Sequence, residues 1–196
     1  MIRLLLATAS LAMMSCSPRP DAGKQTPQLH QVAYKAEDIT TREGATRPFR
    51  TTSWRDGLRS RREAAYETAT FVSIMDLEHG LQHKWEAADP SGTLETEPLR
   101  RRARRGKTFW WEGARTATPA GECVVNGERG SLWARPAFDH VPARTACISA
   151  DGILLRIDHG EGSWTEITRL TRGPVDPAVF KPPTNATRPN QPPATK

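Results

Sequence analysis

Cys123 and Cys147 are the side chains of this sequence best able to form a covalent bond, and their spacing favours a structural one. No C-x-x-C brings two thiols together for redox exchange. In an oxidising compartment the pair reads as a disulfide, closing a loop that contributes about 3 kcal/mol by restricting the unfolded chain. In a reducing compartment the two would be free thiols. His79 and His83 stand four apart beside Asp76 and Glu78. That spacing suits a metal on a helix, but this segment reads as strand and turn and supplies no third ligand, so neither a metal nor a cofactor is expected. There is no G-x-S-x-G elbow and no phosphate-cradling glycine loop. The carboxylates are scattered and mostly flanked by arginine, a pattern of ion pairing rather than acid–base catalysis. The chain reads as a non-enzyme.

One charge run stands apart: Arg100, Arg101, Arg102, Arg104, Arg105 and Lys107, followed directly by Trp110 and Trp111. Adjacent residues of a strand point to opposite faces, so one tryptophan should be buried and the other at least partly exposed. An exposed tryptophan beside arginines suits contact with an anionic surface such as lipid headgroups. A solvated strand end with ordinary core packing is the alternative. The formal net charge of +6 would also suit nucleic acid, a partner that the N-terminus argues against.

The elements that must position these residues read as strands. Asp56-Gly57, His79-Gly80, Asn126-Gly127 and Asp151-Gly152 separate runs of mixed apolar and polar residues, as two-residue hairpin turns do. A glycine-rich turn at His159–Gly162 precedes a last strand. Alternation puts Phe71, Ser73 and Met75 on one face and Val72 and Ile74 on the other, and sets Leu81, His83 and Trp85 opposite Gln82, Lys84 and Glu86. Arg59–Tyr66 has helical propensity, but its flanking turn and strand favour a hairpin. Lys107–Glu112 reads as a strand and Thr116–Gly121 as a loop. The pattern predicts an all-β fold of nine to eleven antiparallel strands, with short helices at most. Such a sheet forms a strongly curved meander, half-barrel or barrel, a two-sheet sandwich being the alternative.

The ends differ in character. Met1-Ile2-Arg3, an apolar run to Met14 and Ser15-Cys16 have the layout of an export signal, too short to span a bilayer. The cysteine at the cut point resembles the lipobox of bacterial lipoproteins, which implies that Cys16 becomes a lipidated N-terminus. Ser17 after it implies the outer membrane, facing the periplasm; a soluble periplasmic or secreted protein is the alternative. The expected organisation is a signal peptide at 1–15, a lipidated tether at 16–35, a curved β domain at 36–180 and a proline-rich disordered tail at 181–196.

Within the domain, Cys147, Asp151, Gly152, Leu155 and Arg156 form a C-x-x-x-D-G-x-x-L-R cadence. Asp176, Pro177, Phe180 and Pro183 form a closing D-P-x-x-F-x-x-P, and Trp54–Arg59 reads as a strand–turn–strand opening. These motifs resemble exported proteins with lipoprotein-carrier (LolA/LolB/LppX-like) half-barrels. The resemblance implies a curved antiparallel sheet with a face for a hydrophobic ligand or envelope lipid. The function expected is that of a non-enzymatic periplasmic lipoprotein, held at the membrane through its N-terminal lipid, with a hydrophobic ligand or an anionic envelope component as partner and no nucleic acid. The alternative is a structural lipoprotein contacting another envelope protein or the cell wall.

Overall fold

The computed structural model describes residues 32–89, 94–99, 116–138 and 142–184. Eleven strands fill these segments: β1 Tyr34–Thr41, β2 Phe49–Asp56, β3 Arg59–Ala65, β4 Thr70–Asp76, β5 Leu81–Glu86, β6 Glu95–Pro98, β7 Thr118–Val125, β8 Glu128–Arg135, β9 Arg144–Ser149, β10 Leu154–Gly160 and β11 Ser163–Arg172. All belong to one antiparallel sheet in the order β6-β5-β4-β3-β2-β1-β11-β10-β9-β8-β7. The first and last strands therefore pair at the centre, and each half of the chain is a hairpin meander running outward from that seam. The sheet is open, with β6 and β7 as its edges. A 3-10 turn, Pro177–Phe180, follows β11.

The hairpins fall at the turn pairs seen in the sequence. Asn126 (φ 48°) and Gly127 (φ 82°) both adopt left-handed backbone, which asparagine and glycine tolerate best and which matches the right-handed twist of the flanking strands. One loop expectation is corrected. Thr118–Gly121 is not loop but the first half of β7. Proline and glycine argue against a central strand, yet β7 is an edge, and the register shifts between Pro119 and Gly121. An edge strand with a bulge accommodates both residues, because no outer neighbour needs the missing N–H. At the N-terminal boundary, β1 opens at Tyr34, inside the stretch expected as tether.

Register sorts the residues of the N-terminal half onto two faces. Asp38 opposes Thr51, Thr51 opposes Ala64 and Ala64 opposes Phe71. The same face carries Tyr34, Arg55, Ser60 and Arg62. The other face holds Trp54, Arg61, Val72, Ile74 and Trp85. There Val72, Ile74, Trp85 and Leu94 form a buried cluster. The C-terminal segment covers part of this second face. Asp176 caps the 3-10 turn through its carboxylate, which accepts from Ala178 N–H at 2.8 Å. Arg61 donates to the Val179 carbonyl at 3.1 Å, and buried Phe180 lies under the Arg59 guanidinium, 5.1 Å from its ring centroid.

The C-terminal half curls more tightly. The main core joins Tyr34 and Ala36 of β1 to Val125, Cys147, Ile153, Leu155 and Ile167, so β7 to β10 roll toward the seam. In β9, four consecutive residues, Ala146 to Ser149, are buried, meaning that both faces of that strand are covered. A disulfide joins Cys123 of β7 to Cys147 of β9, the pairing expected from the sequence. At the seam itself the register shifts between Glu37 and Asp38. There the Asn126 side-chain amide donates to the Ile167 carbonyl, and the Thr168 hydroxyl donates to the Glu37 carbonyl at 3.1 Å. Arg172 then clamps the roll, donating to both carboxylate oxygens of Glu128 at 2.9 Å and to Asp151 at 2.6 Å. These bonds hold the Glu128 carboxyl below its ordinary range. They do the same for Asp151, against the opposing effect of partial burial.

Candidate binding face

The face shared by Tyr34, Asp38, Thr51, Arg55 and Arg62 combines a polar, largely buried floor with an exposed aromatic rim. In the floor, Tyr34 and Arg55 share a side-chain hydrogen bond. Burial raises the Tyr34 pKa and lowers that of Arg55, while their mutual contact works against both shifts. Beside them Asp38 is bonded to Thr51, and its carboxyl is raised to about 6 because burial penalises the anion more than Arg62 and Thr51 stabilise it. Its Oδ1 is buried without a hydrogen-bond partner among the described residues. Arg62 donates to the Thr51 hydroxyl at 3.3 Å and is otherwise exposed. The polar row continues across the seam, where the Thr40 and Thr165 hydroxyls lie 2.9 Å apart and His159 bonds to Thr165 at 3.1 Å. Burial, followed by the charge of Arg144, lowers the His159 pKa and favours its neutral form.

The rim is built from strand ends. Phe49 opens β2, Tyr66 follows β3 and Phe71 lies in β4. Phe49 and Tyr66 stack with centroids 5.4 Å apart, and Tyr66 meets Phe71 edge-on at 5.9 Å. Arg42 sits 5.0 Å from the Phe49 ring. Tyr66 is 48% exposed and Phe71 50%, so each presents a ring to solvent that its neighbours hold in place. Ala64, opposite both Thr51 and Phe71, is buried between rim and floor. On the far side of Phe71 stand Ser73, Lys84 and Glu86, with Lys84 paired to Glu97.

The residues singled out from sequence are distributed differently. Cys16, Arg100, Arg101, Arg102, Arg104, Arg105, Lys107, Trp110 and Trp111 lie outside the described residues, as does the strand expected at Lys107–Glu112. Cys123 and Cys147 serve the curl of the other half. His79 and His83 diverge. His79 bonds to Asp76 at 2.7 Å, closing the β4–β5 turn, whereas His83 bonds to Thr96 of β6 at 3.0 Å. The ligand atoms of Asp76, Glu78 and His79 do lie within 4.8 Å of one another. Their contacts are those of a turn: Asp76 accepts from the His79 backbone at 2.9 Å as well as from its ring. Partial burial works to raise the Asp76 pKa, but these His79 contacts outweigh it and hold it low. The same contact raises the His79 pKa.

Comparison with known proteins bears on the fold. No protein-family model matches the chain, and no curated protein matches it significantly. An uncharacterised conserved protein from Thermus thermophilus superposes with a TM-score of 0.57 at 11% identity, over 81% of this chain and 91% of that one. The structure of PNGF-II superposes with a TM-score of 0.51 at 10% identity, over 81% of this chain but 31% of its own length. MucB in its complex with MucA from Pseudomonas aeruginosa gives a TM-score of 0.48 at 14% identity, over 76% of this chain and 56% of that one, too slight a likeness to carry an inference. At these identities the first two matches show a shared sheet architecture and nothing of activity.

Proposed function

We propose that this chain is a non-enzymatic, exported lipoprotein that binds an envelope component on the face carrying Tyr66, Phe71 and Arg62. The observation that carries the reading is the pair of half-exposed rings of Tyr66 and Phe71, buttressed by Phe49 and set beside an exposed guanidinium. Rigid aromatic rings beside a charged group supply contact area at little entropic cost and are common at recognition surfaces. The open meander sheet and the carrier-like motifs support the same reading. Export and lipidation rest on Met1–Cys16.

The test uses the full-length Cys16→Ala protein, which lacks the anchor, mixed with isolated bacterial envelopes. Saturable binding that falls at least five-fold in a Tyr66→Ala/Phe71→Ala variant of unchanged melting temperature is expected. Binding that is absent, or indifferent to the double substitution, overturns the proposal.

A further inference from the structure

We infer that this face takes an acidic saccharide, with a sugar ring packed in the corner between Tyr66 and Phe71 and its carboxylate paired with Arg62. The inference rests on the binding-face reading above and names the ligand class. Three observations lead to it.

The first is a cation with no carboxylate in direct contact. Among the described residues no carboxylate lies within ion-pairing distance of Arg62, whose side chain bonds the neutral Thr51 hydroxyl. Asp38, the acid whose charge Arg62 stabilises, is withdrawn into the floor and bonded to Thr51. An exposed guanidinium with free N–H groups is suited to bidentate capture of a carboxylate. The second is the platform. Phe71 is diagonal to Arg62 across the β3–β4 pair, because Arg62 opposes Ser73 and Ala64 opposes Phe71. Diagonal neighbours are about 7–8 Å apart, the span of one sugar ring with an exocyclic acid group.

The third is what surrounds the aromatics. Ser53, Ser73 and Gln82 share the face, the Glu86 carboxylate stands opposite Phe71 on the side away from Arg62, and among the described residues the exposed apolar area of the face is concentrated in the rim. An extended acyl chain laid from the rim inward would cover hydroxyl and amide groups without bonding them, at a cost for each. A sugar offers an apolar C–H face to the rings and hydroxyls at its edge to those same groups. Polarity favours the saccharide, and Arg62 is the cation on this face placed to take its acid group.

The experiment is calorimetric titration of the full-length protein, purified in detergent, with trigalacturonate, with neutral galactotriose and with palmitate. Trigalacturonate is expected to bind at least ten-fold tighter than the neutral trimer. Arg62→Gln should remove that preference while leaving the weak neutral binding unchanged, and Tyr66→Ala should weaken both sugars. Equal affinity for the two sugars, or a preference that survives Arg62→Gln, overturns the inference. So does palmitate binding tighter than trigalacturonate, or no binding of either sugar. In those cases Tyr66- and Phe71-dependent envelope binding still stands or falls by its own assay.

Discussion

Cys123 and Cys147 lie on strands that do not pair with each other, yet their Cα atoms are 6.0 Å apart. In a flat sheet, strands two places apart are separated by about 9.5 Å. β8 runs between them, and Gly130 is the residue that opposes both Cys123 and Ser149. A Cβ on Gly130 would stand 2.5 Å from the Ile148 carbonyl oxygen and 2.8 Å from its carbon. The sheet thus folds over at a residue without a side chain, and the disulfide spans the fold.

Gly130→Ala should therefore destabilise the protein by more than about 2 kcal/mol, since the clashing atoms belong to backbone that cannot step aside. Cys123→Ala/Cys147→Ala should cost about 3 kcal/mol by releasing the unfolded chain. Urea unfolding of both variants checks the two values, and a Gly130→Ala protein as stable as the parent would refute the close approach.

Asp38 governs a pH dependence of defined sign. Its folded pKa of about 6 lies above the ordinary carboxylate value of 3.8, so the folded state holds the proton more tightly than the unfolded one. Stability attributable to this group is greatest below about pH 4 and declines as pH rises toward and through about 6, by on the order of 3 kcal/mol in total. Asp38→Asn should remove that decline and leave the protein as stable or more stable at neutral pH. Melting temperatures measured from acid to mildly alkaline pH decide it.

Arg172 acts in the opposite sense. Its contacts depress the Glu128 and Asp151 pKa values, so the stability they supply is present above the ordinary carboxylate range and lost in acid. Arg172→Ala should cost about 1 kcal/mol at neutral pH, these groups being partly solvent-screened. The difference between variant and parent should shrink below about pH 4, as followed by chemical denaturation.

Phe180→Ala should cost about 3 kcal/mol, because a buried aromatic is lost from the segment that covers the second face. The same change should loosen residues 177–184, seen as faster amide exchange at Val179 and Lys181.

Cys16→Ala should move the protein from the membrane to the soluble fraction of expressing cells. Unchanged membrane association would refute lipid anchoring at that residue.

Much of the architecture was legible because turns are local. Asn126-Gly127 and Asp56-Gly57 announce left-handed backbone within two residues, and the strand alternation around them follows. β7 was not legible, since Pro119 and Gly121 look like loop until the strand is known to be an edge. The binding face was half legible. Alternation placed Phe71 opposite Val72 and Ile74, but which side would be covered depends on Trp85, Leu94 and Phe180 arriving from elsewhere in the chain. Arg62 and Tyr66 carry no local signature, because their place is set by what opposes and stacks on them. A useful clue was available in the hairpin expected at Arg59–Tyr66, which sets Arg62, Ala64 and Tyr66 on one side, facing Phe71.

The pairing of Tyr34 with Arg172 brings together residues at opposite ends of the domain. Each half can form its hairpins from neighbouring sequence, but the ladder that unites them has no partner strand until the last one has been synthesised. Completion of the sheet is thus a post-synthetic event, and of high contact order. Until then the unpaired edge of β1 is exposed to whatever else can add a strand to it.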